Sequence, residues 1–149
     1  MKELPSNSKV VIIGGGVAGC SVAYHLAQFG WKDTILLERD QLTSGTTWHA
    51  AGLVGQLGAT ATITKLRKYS LSLYKELEKK TDLSTGLKQN GAITVASSKE
   101  RLQELLRQAT SAKLFDVNVE VLDKQQIKNL YPVINDKDIM GGVYMPEDG

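Results

Sequence analysis

An α/β fold, opening on a strand, helix, strand unit and continuing into further helices and short strands, is the architecture this sequence predicts. Three observations carry it. Val10-Val11-Ile12-Ile13 is an apolar run without polar alternation, as in a strand buried on both faces of a parallel sheet. From Val17 to Phe29 the residues Ala18, Val22, Ala23, Leu26 and Ala27 recur at helical spacing, and Gly30 offers a C-terminal stop. A second apolar run, Thr34-Ile35-Leu36-Leu37, follows and closes on Glu38. Strands joined through a helix lie parallel, so the three pieces form a βαβ unit.

Behind that unit, the Gly/Thr/Ala-rich stretch from Thr43 to Thr62 disfavours a long helix and reads as a functional loop. Ile63, Leu66, Ser70, Leu73, Tyr74 and Leu77 trace one face of a helix running to about Lys80. Gly86 and Gly91 bracket two apolar pieces, Leu87 and Ala92 to Ala96, read as antiparallel strands. Ser97 and Glu100 form a capping-box pattern ahead of a helix carrying Leu102, Leu105, Leu106 and Ala109. Val117 to Leu122 alternates like a strand. Asp123 and Gln126 cap a short helix that Pro132 ends, and an apolar, glycine-containing segment from Ile139 to Met145 closes the pattern.

Composition narrows the function classes. With 149 residues, 42% hydrophobic and 23% charged, the chain is neither a disordered tail, a collagen-like repeat nor a coiled coil. Eighteen basic against sixteen acidic residues leave +2, too little to predict nucleic-acid or membrane binding. The single cysteine, Cys20, forms no internal disulfide, and with two histidines it makes no zinc site of ordinary ligand count, so no metal is expected. The first residues lack the head and core of a signal peptide, and the location expected is cytoplasmic, or the mitochondrial matrix for a processed protein.

Gly14, Gly16 and Gly19 satisfy G-x-G-x-x-G, and here the pattern stands between a strand and a helix, as dinucleotide binding requires. Gly14 serves the tight turn, Gly16 the approach of backbone to a pyrophosphate, and Gly19 close packing of helix on strand. Val17 and Ala18 complete the helix N-terminus that receives the phosphate. Glu38, followed by Arg39, ends the second strand where a carboxylate accepts from both hydroxyls of a ribose. A Rossmann-like FAD/NAD(P)-binding unit results, and the fingerprint leaves the choice between NAD and FAD open.

The segment Leu42-Thr43-Ser44-Gly45-Thr46-Thr47-Trp48-His49-Ala50-Ala51-Gly52-Leu53 resembles the flavin-contact motif of the dimethylglycine and sarcosine dehydrogenase family, within the D-amino-acid-oxidase-like flavoproteins. Gln89-Asn90-Gly91, Leu130-Tyr131-Pro132 and the run from Gly141 to Gly149 extend the likeness through nearly the whole chain. The resemblance implies FAD as cofactor, with Gly45, Thr46, Thr47, Trp48, His49, Ala51, Gly52 and Leu53 around it. It also implies that His49 can be joined covalently to the flavin 8α carbon. The implied reaction passes a hydride from the N-methyl group of a small amino acid to the flavin, giving an iminium that water hydrolyses to formaldehyde.

The resemblance further implies that residues 1–149 are the N-terminal part of an FAD-binding domain with an incomplete sheet, the other strands, the amine pocket and the catalytic residues lying outside it. The chain by itself is then expected to be inactive, with the remainder of the enzyme as its partner and an electron acceptor that stays unassigned. Two other functions stay open: an NAD-binding dehydrogenase domain, and a noncatalytic remnant that binds a partner chain. Elsewhere, Cys20 and Trp48 are expected to pack, His25 is left unassigned, and Thr46 and Thr47 either reach phosphate or cap a short helix. Arg67, Lys68, Arg101 and Arg107 are expected on solvated faces.

Overall fold

The computed structural model describes residues 5–149. They form two compact units, one ending at Gly52 and the other running from Leu53 to Gly149. In the first, β1 (Val10–Ile13) and β2 (Thr34–Leu37) pair in parallel, Val10 opposite Thr34 and Ile13 opposite Leu37, with α1 (Val17–Gln28) between them in sequence and packed on both. Helix α1 stops as expected. Gly30 turns left-handed at φ +82°, and the Gly30 and Trp31 amides donate back to Ala27 and Leu26.

Burial of β1 departs from the expectation of a strand covered on both faces. Ile12 faces α1 and is buried, whereas Val11 and Ile13 are 51% and 87% exposed. Alternate residues of a strand point to opposite faces, and in this unit α1 covers one of them. The two-stranded sheet is therefore open on the Val11 and Ile13 side.

The second unit starts with α2 (Ala61–Thr81), capped by Thr60, whose hydroxyl accepts from the Ile63 amide at 3.3 Å. Its buried face differs from the predicted stripe. Thr64 and Leu71 are buried, while Ile63 and Leu66 are 40% and 58% exposed. The preceding loop folds onto Thr64, whose Oγ1 accepts from the Gly58 amide at 3.1 Å and donates to the Thr60 carbonyl at 3.0 Å. A satisfied hydroxyl can be buried without penalty, and that rotates the covered face away from Ile63 and Leu66.

Strands β3 (Ala92–Ala96), β4 (Glu120–Leu122) and β5 (Gly141–Met145) form an antiparallel sheet in the order β3-β5-β4. Leu87 joins no strand, and β4 is shorter than the predicted alternation. On one face, Val143 and Ala96 pack against Leu105 and Ala109 of α3 (Lys99–Ala112). On the other, Gly142 lies against Ile127 of α4 (Lys124–Leu130). The cap of α3 is Ser98 rather than Ser97, with its hydroxyl accepting from Arg101 N at 3.1 Å. The capping box of α4 forms as read: Asp123 Oδ1 accepts from Gln126 N and Gln126 Oε1 from Asp123 N, each at 2.8 Å.

Leu105 is fully buried and its neighbour Leu106 is 39% exposed. Leu105→Ala is expected to lower unfolding free energy by about 2 to 5 kcal/mol, and Leu106→Ala by about 0.5 kcal/mol. Urea midpoints with unchanged slopes test this, and equal losses would refute the assigned core face.

Candidate functional site

Between β1 and α1 the chain has only residues 14–16 in which to turn, and all three are glycines. Gly14 takes φ +104°, and its amide donates to the Leu37 carbonyl at 2.8 Å. A Cβ at Gly19 would fall on the Gly14 carbonyl oxygen, so the helix reaches the turn only because that carbon is absent. A Cβ at Gly16 would lie 3.0 Å from Thr47 Oγ1. Gly15, a variable position of the motif, is also crowded, though by side chains, because its Cβ would meet the movable Leu42 Cδ2 at 2.5 Å and Glu38 Cβ at 3.1 Å. The pattern did not mark Gly15; the unbroken run of three glycines was its signal.

At the start of α1, Val17 N donates to Thr47 Oγ1 at 2.9 Å. The Ala18 and Gly19 amides find no acceptor among the described residues, and the first turn carries no acidic side chain. Orphan amides and the helix dipole make this end attractive to an anion. Thr47 thus caps α1 itself, which neither sequence alternative for it foresaw.

Glu38 lies beside this end. Its Oε2 accepts from the Gly15 amide at 2.7 Å and its Oε1 from the Asp40 amide at 3.1 Å. The Gly15 amide, and after it that of Asp40, hold this carboxyl below the usual glutamate range. A carboxylate offers about four acceptor positions, so two remain for further donors. Glu38 is therefore both a brace of the glycine turn and a negatively charged acceptor on its rim.

An open cleft of about 770 Å³ gathers most of the predicted site: Gly14, Gly16, Val17, Ala18, Gly19, Glu38, Arg39, Gly45, Thr46 and Thr47 line it, and Asp40, Ser44 and Ala50 join them. Trp48, His49, Ala51 and Gly52 do not. His49 ends a 3-10 turn (Thr46–His49) and is exposed, its Nδ1 donating to the Gly45 carbonyl at 3.1 Å. Because a carbonyl only accepts, the neutral ring carries its proton on Nδ1 and keeps a lone pair on Nε2. Trp48 is 75% exposed, edge-on to the His49 ring at 6.1 Å, and so does not pack as expected. A single 3-10 turn that directs Thr47 toward α1 points the next side chain elsewhere. Leu53 belongs to the other unit, where it borders a cavity of about 460 Å³ with Arg67 and Tyr74.

The remaining candidates have structural partners. Cys20 is half-buried with Sγ 3.4 Å from the Gly15 carbonyl, and His25 Nδ1 donates to the Ser21 carbonyl at 2.6 Å. Lys68 is half-buried, and its ammonium donates to the carbonyls of Phe115 and Asp116. Arg67 is exposed but donates to the Leu57 carbonyl at 2.6 Å, and Arg101 pairs with Glu104 at 2.7 Å. Among the described residues no cluster of His, Cys, Asp and Glu side chains is arranged to hold a metal, and no helix is long and apolar enough to cross a membrane.

The lowered pKa of Glu38 implies a pH dependence. Its stabilising contribution is present above the ordinary glutamate range and is lost as pH falls through the lower folded-state value. Titration followed at the Gly15 amide resonance is expected to place Glu38 below ordinary glutamates, and Glu38→Gln is expected to remove the transition. Titration at or above the ordinary range would contradict the Gly15 contact.

With this geometry established, comparison with known proteins adds the following. The family model described as FAD dependent oxidoreductase matches residues 9–149. Human mitochondrial sarcosine dehydrogenase is 44% identical over 149 residues, covering 99% of this chain and 16% of that protein. The mouse mitochondrial pyruvate dehydrogenase phosphatase regulatory subunit is 37% identical, over 97% of this chain and 16% of that protein. Among solved structures, L-proline dehydrogenase from P. horikoshii superposes with a TM-score of 0.89 at 24% identity, over 98% of this chain and 38% of that one, a likeness of fold. The chain thus spans about one-sixth of the length of these curated relatives.

Proposed function

This chain belongs to the FAD dependent oxidoreductase family, and from that premise we propose that it is the N-terminal FAD-binding segment of an enzyme oxidising an N-methyl amine such as sarcosine or dimethylglycine. One observation carries the cofactor assignment: the glycine turn leaves the Ala18 and Gly19 amides without acceptors inside a cleft whose rim holds ionised Glu38. A pyrophosphate fits the amides, and a ribose with two hydroxyls fits the two acceptor positions left on Glu38. The same carboxylate repels a 2′-phosphate. Family membership favours FAD over NAD.

In this reading Gly14, Gly16, Val17, Ala18 and Gly19 hold the pyrophosphate, with Thr46 and Thr47 beside it. Glu38 binds the ribose, and Arg39 and Gly45 complete the cleft. Trp48, His49, Ala51, Gly52 and Leu53 form the flavin-contact segment, and their exposure leaves them available to it. His49 is the residue that tethers the flavin, through Nε2, because the Gly45 carbonyl occupies the proton on Nδ1. When bound, the flavin supplies the two-electron acceptor for an amine C–H bond.

The amine substrate rests on the resemblance and on the name of the human relative. A mitochondrial location rests on the names of both curated relatives. The relative named as a phosphatase regulatory subunit favours a second reading, in which the same cofactor fold serves a partner chain without amine oxidation. Activity of the full-length protein separates the two: turnover of sarcosine or dimethylglycine by its flavin-loaded form supports the first, and flavin binding without turnover of any N-methyl amine supports the second.

Gly16→Val places a branched side chain where phosphate meets backbone and is expected to abolish FAD retention. Unchanged flavin content would refute the cleft as the pyrophosphate site. In the full-length protein, His49→Ala is expected to retain FAD in the native state but release it on acid denaturation, whereas wild type keeps flavin fluorescence in the pellet. Complete release from denatured full-length wild type would exclude the tether.

A further inference from the structure

Outside the cleft, the second unit holds a cavity of about 460 Å³ that the proposed function does not use, lined entirely by residues of that unit. Its size lies within the range of about 300 to 1,000 Å³ usual for small-ligand sites. From α2 come Arg67, Ser70 and Tyr74, which share one face of the helix because they are spaced three and four residues apart. The rest of the lining comes from residues 53–55, the start of β3 at Ala92, and Asp148 with Gly149. Gly55 leaves little room for a side chain, since its Cβ would stand 3.2 Å from Asp148 Oδ2, so backbone forms this part of the lining.

Two opposite charges border this cavity without meeting. Asp148 is 4% exposed; its Oδ1 accepts from the Gln56 amide at 3.0 Å, and a carboxylate has further acceptor positions beyond that one. Arg67 is exposed on α2 and donates through Nη1 to the Leu57 carbonyl at 2.6 Å, which leaves enough guanidinium N–H groups for a carboxylate. No ion pair joins the two among the described residues. Buried charges are normally paired, and Asp148 lacks that contact: burial pushes its carboxyl above the usual aspartate range, opposed by the Gln56 amide and the Arg67 charge, with the Glu147 charge adding to the rise. Tyr74 is half-buried, and its hydroxyl has no partner among the described residues. The Ser70 hydroxyl donates to the Leu66 carbonyl at 2.9 Å, which leaves it an acceptor.

A lone anion in this cavity would meet Asp148, and a lone cation would meet Arg67, so the lining complements one small molecule that carries both charges. We propose that the cavity is a binding site for a free amino acid in its zwitterionic form, with the carboxylate held by Arg67 and the Tyr74 hydroxyl and the ammonium by Asp148. Leu53, Val54 and Ala92 supply the apolar remainder of the lining. The site lies within one unit and does not rest on the FAD reading.

The test titrates the full-length protein calorimetrically with glycine, acetate and methylammonium. Wild type is expected to bind glycine about tenfold more tightly than either single-charge probe, because each of those lacks one charge-assisted hydrogen bond. Arg67→Gln removes the cation, and Asp148→Asn removes the negative charge while keeping an acceptor for Gln56 N; each is expected to weaken glycine about tenfold. Selectivity separates direct contact from a disturbed fold: Arg67→Gln closes the gap between glycine and methylammonium, and Asp148→Asn closes that between glycine and acetate. Should Asp148→Asn not accumulate, Arg67→Gln at its exposed position and Tyr74→Phe carry the test, the latter expected to weaken glycine about threefold and leave methylammonium unchanged. Absence of glycine binding by wild type, glycine binding that survives either charge substitution, or a single-charge probe bound as tightly as glycine would each overturn the proposal. Failure of this site leaves FAD uptake intact, so the two readings fail separately.

Discussion

The Gly14 carbonyl oxygen stands where any side chain at position 19 would have to be. That single contact brings the first turn of α1 against the end of β1, and the arrangement of the candidate site follows from it. With the helix so close, three residues suffice for the turn. The Ala18 and Gly19 amides then open onto the same cleft as the end of β2. The Gly15 amide comes within 2.7 Å of the Glu38 carboxylate.

Glu38 and Thr47 show how the turn is held together by groups that also serve a ligand. Each makes a backbone contact in the turn, Glu38 to Gly15 and Thr47 to Val17, and each borders the cleft. Satisfying one orphan amide with a hydroxyl lowers the cost of an exposed helix end while leaving the neighbouring amides free. Ionisation of Glu38, favoured by the amides it accepts from, keeps acceptor capacity for a cofactor ribose.

The second unit meets a different constraint. Its sheet is sandwiched between α3 and α4, and the central strand, β5, carries adjacent glycines, Gly141 and Gly142, that admit these helices and the neighbouring strands at close range. Close packing around Ala96, Leu105, Ala109 and Val143 makes this unit better buried than the first, where among the described residues Ile12 is the buried hydrophobic one. The loop from Leu53 to Thr60 is fastened to this firmer unit by Asp148 and by Thr64.

Local chemistry was legible in the residues themselves. The βαβ unit, the glycine positions at 14, 16 and 19, Glu38 at the strand end, the Asp123 and Gln126 box and the stop at Gly30 all follow from spacing and side-chain type, because turns, caps and helix periods are decided within a few residues. Only the tertiary structure decided which faces are covered. The exposure of Val11 and Ile13, the shift of burial on α2 to Thr64 and Leu71, and the outward Trp48 depend on which element lies opposite, and no local pattern encodes that. The same holds for Gly15 with Glu38, Thr47 with Val17 and Asp148 with Gln56, each a contact between residues far apart in the chain. Sequence spacing states what each residue can donate or accept; the fold alone determines the partner, since hydrogen bonds form only between groups that packing has already brought within about 3 Å.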